Sequence, residues 1–373
     1  MEDRIITITS CPYSRAQLIK GRLESEGIEC FLSNINLVQP GVSTGVKVRI
    51  NEKDADQAFR IIEEMKNQYG EGKTAVLDQI KAIRRILVPV DFSDNTDNIC
   101  NYALGIAHQL KAEIRLIYSY FNPVISTDPY LESQSYNFQM ENIMVSIEKE
   151  AREEMKQLKI RIREQIDKEK LTQIKKVTYN LEVGIAETVI LDQIDKFKPG
   201  LVVMGTKGKG MGISDYIGGV TKKIIDKSTV PVLAIPDKST YWGIQQVNRV
   251  LYATNFDESD YKTLRQLMTM VRPFHMEIFY VHIYSGDTDP FNHLKMEKLR
   301  THFTEHYSDY KITCDMLMHR DTVEGLEEYI KEKDIDLIAL TTRKRGIIER
   351  LFNPSLAKKM LYHTNVPLLV FQS

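Results

Sequence analysis

The feature that most constrains this chain is that it repeats itself. IRRILVPVDFSDNTDNICNYALGIAHQLKAEIRLIYSY, from Ile83, matches VNRVLYATNFDESDYKTLRQLMTMVRPFHMEIFYVHIY, from Val247, in its order of apolar and polar runs. Further on, LEVGIAETVILDQIDKFKPGLVVMGTKG from Leu181 aligns without a gap to LMHRDTVEGLEEYIKEKDIDLIALTTRK from Leu317. Both copies close alike, STVPVLAIP around Val230 and TNVPLLVF around Val366. Self-similarity over that length marks a duplicated folding unit.

Within each copy, short β-rich runs alternate with helical-period segments, which predicts a parallel sheet with right-handed crossovers. In the first copy strands are expected at Ile86–Val90, Ile114–Tyr120, Lys176–Val183, Leu201–Gly205 and Val230–Ile235. In the second they are expected at Val250–Thr254, Glu277–Ile283, Thr313–His319, Leu337–Thr341 and Val366–Phe371. Runs such as ILVPV, LVVMG and VPVLAI are apolar throughout, as strands covered on both faces are. The copies differ most at Met140–Lys170, a charged stretch with apolar residues at helical spacing. It reads as a crossover helix with a solvated outer face, with a partner-binding coiled coil as the alternative.

The 373 residues carry 42% hydrophobic and 27% charged side chains and a formal charge of −1. No global field attracts nucleic acid or an acidic membrane surface, and no run approaches the roughly 20 apolar residues that span a bilayer. Nor does the start MEDRIITITSCPYSR have the basic-then-apolar pattern of a signal peptide. A cytoplasmic location is therefore expected, with reduced thiols at Cys11, Cys30, Cys100 and Cys314, which lack metal-ligand spacing.

Ahead of the repeats stands a separate module of about 70 residues. IITITSC reads as a strand, SRAQLIKGRLESEGI as a helix ended at Gly27, ECFLSN and GVKVRI as strands, and DADQAFRIIEEMKN as a helix. That β-α-β-β-α order suggests a small ferredoxin-like α+β domain. Cys11-Pro-Tyr-Ser14 mimics a monothiol redox site at a helix start. The later cis-proline segment and Gly-Gly turn that such a site needs are missing from GVSTGVKVRI. The module better resembles a small prokaryotic signal-transducing domain of the DUF2007 type, through LESEGIECFLSN and VRINEKDADQAFRIIEE. The expected boundaries are 1–70 for this domain and 71–82 for a linker, then 83–238 and 248–373 for the repeats. The segment 239–247 joins the repeats and contains Trp242.

The residues most able to carry chemistry follow the fourth strand of the first repeat. There Gly205-Thr206-Lys207-Gly208 precedes, by nine residues, Gly218-Gly219-Val220-Thr221. Glycines admit phosphate oxygens close to the backbone. The second pair opens a helix whose N–H groups and dipole favour an anion. The loop leaves the carboxyl end of a parallel strand, where open α/β sheets bind ligands. Lys207, Lys209 and Lys222 add positive charge. The plain alternative is that these glycines only shape turns. Gly208-Lys-Gly210-Met-Gly212 mimics a dinucleotide fingerprint, but it follows a late strand and lacks the acidic residue at the right distance; no GxxxxGK[ST] exists. Asp91, directly after the first strand, faces the same crevice if strands one and four are neighbours. There it can accept from a ribose or adenine, or it can simply cap the following helix. Gly184, after the third strand, leaves room on the crevice floor.

The ILVPVDFSD opening, VVMGTKGKG, the G-x2-G-x9-G array and the closing VPVLAIP resemble the universal stress protein (UspA-like) family, in tandem from Ile83 to Ser373. The resemblance implies two Rossmann-like (adenine nucleotide alpha hydrolase-like) domains. Each is a five-stranded parallel sheet flanked by helices, and the two pack through their last strands as an intramolecular pseudo-dimer, with further homo-oligomers open. In ATP-binding members the aspartate after the first strand and the residue ending the second sit by the adenosine, and the glycines hold phosphates. Those roles fall on Asp91, Ser119, Gly205, Gly208, Gly218 and Gly219. The full candidate set adds Pro89, Val90, Gly184, Met204, Lys207, Val220 and Thr221, with no catalytic residue and no metal ligand.

There is one departure. Gly219 stands where the family usually has Ser or Thr, which removes a phosphate contact worth about 0.5–1.5 kcal/mol; Thr221 is the nearest substitute. The second repeat departs further. By alignment Asn255 replaces Asp91, Arg320 replaces Gly184, Thr341 replaces Gly205, Lys344 replaces Gly208 and Pro354 replaces Gly218; Ser355 alone fits. That crevice is expected to lack nucleotide, leaving the second repeat as a structural partner. The leading reading is thus a regulatory protein with ATP, with or without Mg2+, or another adenine nucleotide in the first repeat. A slow ATPase and a ligand-free scaffold presenting the amino-terminal domain remain open beside it. No general base or metal carboxylate pair is evident in the motif loops.

Overall fold

The computed structural model describes residues 5–11, 13–33, 46–55, 57–58, 61–62, 84–120, 134–207, 218–239, 247–256, 258–286, 290–342 and 365–372. They divide into two compact units, Met1–Asp78 and Gln79–Ser373.

The smaller unit is built on β1 (Ile5–Cys11), α1 (Tyr13–Ser25), β2 (Cys30–Ser33) and β3 (Val46–Asn51). Its sheet is antiparallel in the order β1-β3-β2, a β-α-β-β-α-β unit without its last strand among the described residues. Alternation decides which face is covered: Val46, Val48 and Ile50 point inward, against Ala16, Ile19 and Leu23 of α1. Ala58, Ile61 and Ile62, at helical spacing, join the same core. The first helix stops as expected. Gly27 takes φ +82°, a left-handed turn that costs only glycine nothing, and Ile28 N–H reaches back to the Leu23 carbonyl at 3.0 Å.

The larger unit holds both repeats. The first runs β4 (Arg85–Pro89), α2 (Thr96–Leu110), β5 (Glu113–Tyr120), α3 (Gln134–Lys168), β6 (Lys176–Val183), α4 (Ala186–Phe197), β7 (Leu201–Gly205), α5 (Gly219–Lys227) and β8 (Val232–Ile235). The second runs β9 (Arg249–Ala253), α6 (Glu258–Val271), β10 (Glu277–Tyr284), α7 (Pro290–His306), β11 (Ile312–Met318), α8 (Thr322–Glu332), β12 (Leu337–Thr342) and β13 (Leu368–Gln372). One ten-stranded sheet results, in the order β11-β10-β9-β12-β13-β8-β7-β4-β5-β6.

Each half is parallel throughout, and the halves join where β13 meets β8 antiparallel. Leu368 faces Ala234, Leu369 faces Leu233 and Val370 faces Val232, so a pseudo-two-fold axis passes through the Leu369–Leu233 pair. Two apolar layers, one on each face of the sheet, contain residues of both repeats. Separating the repeats would therefore open a shared core, at about 1.5–3 kcal/mol for each large aliphatic side chain uncovered.

The closing strands start later than expected, at Val232 and Leu368 rather than Val230 and Val366. The cause is proline. Pro231 and Pro367 accept hydrogen bonds from Val202 and Ile338 N–H, both at 3.0 Å, but have no N–H to return to the ladder. The charged stretch after the second strand is a crossover helix, α3. Ala151, Met155, Leu158 and Ile162 bury one stripe of it, Arg152 pairs with Glu148 on the open side, and Arg161 Nε reaches Asp97 at 2.8 Å. Among the described residues no helix is long and apolar enough to cross a membrane. Lys209 and Trp242 lie outside the described residues.

Candidate functional site

The strand order of the first repeat makes β4 and β7 neighbours, and the chain crosses to opposite sides of the sheet beyond them. Such a switch point leaves a crevice at the carboxyl ends of the two strands. A cleft of about 280 Å³ opens there, lined by Pro89, Val90 and Asp91 from the end of β4, Ser119 from β5, Met204, Gly205 and Lys207 from β7 and its loop, and Gly218, Gly219, Val220 and Thr221 from the start of α5.

The loop after β4 is pinned at both ends. Val90 N–H bonds the Ile117 carbonyl at 2.9 Å, and Phe92 turns the chain with φ 54°. Asp91 Oδ1 accepts from Ser93 N–H at 3.1 Å, Ser93 Oγ at 2.7 Å and Thr96 Oγ1 at 3.4 Å. Asp91 thus shapes its own loop as well as facing the cleft. The residue capping α2 is Asn95, whose side chain makes no cap bond.

On the other side, β7 ends at Gly205, where any Cβ would stand 2.8 Å from Ile99 Cδ1 and 3.2 Å from the Lys207 carbonyl oxygen. A side chain here would require Ile99 and the Lys207 carbonyl to shift, so glycine suits the close packing of α2 on the strand end. Gly218 N–H then closes onto the Thr206 carbonyl at 2.6 Å, aiming the first turn of α5 at the cleft. A helix start leaves its first N–H groups without intrahelical partners, and anions placed there gain about 0.3–1 kcal/mol. Gly219 is exposed, and a Cβ on it would meet nothing within 4 Å.

Several expectations need correction. Thr221 lines the cleft but donates its hydroxyl to the Gly205 carbonyl at 2.7 Å, so it latches α5 to β7 and does not replace the donor missing at Gly219. Gly184 is not among the lining residues. It holds φ +146°, and a Cβ there would come 3.0 Å from Val189 Cγ2. Its part is to turn the chain so that α4 can close the crevice. Lys222 is exposed on α5 and lies outside the cleft lining. Gly208 lies outside the described residues.

The structure also brings in residues that sequence reasoning missed. Ile99, Ile117, Ala186, Val189 and Ile190 form apolar walls, three of them from one face of α4. Their signal was the i, i+3, i+4 spacing in IAETVIL, which reads as core rather than as ligand surface.

In the second repeat the corresponding strand ends and α6 carry a polar side-chain network. Thr341, aligned with Gly205, puts Oγ1 2.8 Å from the Tyr252 hydroxyl. That hydroxyl donates to buried Asp260 Oδ1 at 3.0 Å, while Thr254 Oγ1 and Asn255 N–H donate to Oδ2 at 2.7 and 3.1 Å. Tyr280 O–H bonds Thr254 Oγ1 at 2.8 Å, and buried His282 sets Nδ1 2.9 Å from the Thr254 carbonyl. Burial pushes the Asp260 carboxyl up, its hydrogen bonds opposing this. Burial also pushes the His282 imidazole down, and nearby Lys295 adds to that.

The exchange of roles is specific. Asp260 aligns with Thr96, so the acid has moved from the loop after the first strand to the helix, where it faces inward. Asn255 and Arg320 are exposed; Lys344, Pro354 and Ser355 lie outside the described residues.

No group of three or more His, Cys, Asp or Glu suited to a metal occurs among the described residues. Cys30, Cys100 and Cys314 are free and buried, and burial pushes the Cys30 and Cys314 thiols up to about 11 and the Cys100 thiol higher still. The redox reading of Cys11 falls on a side chain outside those described.

Comparison with known proteins fits this geometry. The universal stress protein family matches residues 82–236 and again 246–372. A family described as "Putative prokaryotic signal transducing protein" (DUF2007) matches residues 13–66. Universal stress protein MJ0531 of Methanocaldococcus jannaschii is 28% identical over 152 residues, 41% of this chain and 81% of its own length. The crystal structure of a universal stress protein from Archaeoglobus fulgidus covers 78% of this chain and 98% of that one, with a TM-score of 0.59 at 15% identity. At that identity the likeness is one of fold.

Proposed function

The chain belongs to the universal stress protein family, and from that premise we propose that its first repeat binds ATP or a related adenine nucleotide as a regulatory ligand, with the second repeat serving as its built-in partner. The observation that carries this is the cleft itself. Asp91, the Gly205 turn, Lys207 and the open start of α5 converge on one apolar-walled space.

The two ends of that space suit the two ends of a nucleotide. Ile117, Val189, Ile190 and Met204 offer an apolar slot for a flat base, with Ser119 and Asp91 beside it for polar edges. The α5 start and Lys207 offer donors and positive charge for phosphates. Mg2+ enters this reading as the counter-cation of the nucleotide itself. In the second repeat Thr341 replaces Gly205 and is bonded to Tyr252, and Asn255 replaces Asp91, which supports a single site per chain. Nucleotide occupancy would then alter the surface at the start of α5, and so its contacts with partners.

Equilibrium binding of labelled ATP to the full chain tests this, with Asp91→Ala and Gly218→Val as controls. Saturable binding at one site per chain, weakened by both substitutions, is expected. Two equivalent sites, or binding indifferent to both substitutions, would refute it. A phosphate-release assay on the same protein separates a binding protein from a slow ATPase.

A further inference from the structure

Lys207 brings positive charge to the cleft, and it is held there by an acid. Its Nζ lies 3.6 Å from Asp237 Oδ2, with the two side chains 23% and 36% exposed. Asp237 stands just past β8, the neighbour of β7 in the sheet, so the ends of these two strands bring together residues 30 positions apart.

The carboxylate is fixed rather than loose. Its other oxygen, Oδ1, accepts from Asn95 Nδ2 at 3.3 Å. Asn95 is itself held, because Asn98 Nδ2 donates to Asn95 Oδ1 at 3.0 Å and to the Ser239 carbonyl at 2.6 Å. The Tyr102 hydroxyl closes the chain of contacts, 3.0 Å from Ser239 Oγ. Asp237 therefore sits on a built support that ties the exit of β8 to the first turns of α2.

A polyphosphate entering this cleft meets both members of the pair. It attracts Lys207, and it is repelled by a carboxylate that already holds Lys207. Resting on the nucleotide reading above, we propose that Asp237 is the resident counter-anion of the cleft and sets its selectivity for phosphate charge by competing with nucleotide phosphates for Lys207. When Lys207 turns to a phosphate, Asp237 keeps the Asn95 amide as its partner, so the exchange leaves no carboxylate stranded. The device belongs to the repeat that has the cleft. Counting from Val230 and Val366, the second repeat carries Ser373 at the position of Asp237.

The test is calorimetric titration of the full chain with adenosine, AMP, ATP and inorganic tripolyphosphate, for the wild type, Asp237→Asn and Lys207→Met. Asp237→Asn is expected to tighten ATP and tripolyphosphate by about threefold or more, AMP less, and adenosine not at all, since a partly exposed ion pair is worth a modest factor. The Asp237 effect should shrink when Lys207→Met is already present. If Asp237→Asn weakens ATP, Asp237 is a positioning residue for Lys207 and the proposal is overturned. It is equally overturned if adenosine and ATP shift together.

Adenosine binding and the thermal midpoint report whether the variant is folded. Asp237→Ser, which copies the second repeat, is the alternative if the asparagine variant is not. If tripolyphosphate binds and responds to Asp237→Asn while adenosine does not bind, the adenine reading falls and the counter-anion stands. If wild type binds none of the four, both fall.

Discussion

Replacing Gly219 by serine should improve this cleft by about the worth of one hydrogen bond. Gly219 is the first residue of α5 and is exposed, and a Cβ on it would meet nothing within 4 Å. Its φ lies outside the left-handed region, which among the described glycines only Gly27, Gly184 and Gly286 occupy. A side chain there therefore costs no strain, and exchanging glycine for serine in a helix favours folding by a few tenths of a kcal/mol or about 0.5. The hydroxyl would stand beside the α5 start, among the residues proposed to face phosphate. One new hydrogen bond contributes about 0.5–1.5 kcal/mol, so Gly219→Ser should lower the Kd for ATP about two- to twelvefold. Adenosine, which lacks phosphate, should bind unchanged. Gly219→Ala supplies the control, because it adds the same Cβ without the hydroxyl. Isothermal titration of ATP and adenosine against the three proteins is the assay. An alanine variant that gains as much as the serine variant would refute the phosphate-donor reasoning. So would a serine variant that gains equally for adenosine.

Two further outcomes rest on Gly184 and His282. Gly184→Ala combines a φ of +146° with a Cβ 3.0 Å from Val189 Cγ2, so it should destabilise the chain by about 1–3 kcal/mol; an unchanged denaturation midpoint would count against a strained turn at this position. His282 has an imidazole pushed below its ordinary value of 6.5 by burial. Below pH 6.5 the unfolded chain takes up a proton that the folded chain resists, so stability falls as pH drops toward the lowered folded value. His282→Gln should flatten that part of the stability–pH curve relative to wild type between pH 7.5 and pH 5.5, at up to about 1.4 kcal/mol per pH unit. Parallel curves would show that His282 does not titrate in this way.

The duplication was legible because whole segments repeat in order, and the parallel strands because each is written locally. A β-branched run between turn residues, or a glycine pair before an amphipathic stretch, has its meaning within a dozen residues. The strand starts at Val232 and Leu368 were misjudged by two residues because an apolar run does not distinguish a residue that pairs from a proline that only accepts. Gly184 is expected from sequence to leave room on the crevice floor; in the structure the atom that a Cβ there would meet is Val189 Cγ2, in the wall of the cleft.

The sequence by itself determined that two copies of one α/β unit follow a smaller module, and that the first copy alone keeps Asp91 and the glycines. Tertiary structure decided what those residues do. It spent the Thr221 hydroxyl on Gly205, walled the cleft with α4, and joined Tyr252, Thr254, Asp260 and Thr341 of the second repeat in one polar network. It also set Asp237 against Asn95, 142 residues away in the chain, and against Lys207. The physical reason is that periodicity encodes which face of an element is buried. Which distant polar atoms then come within 3–4 Å depends on where strand ends and helix starts meet in space.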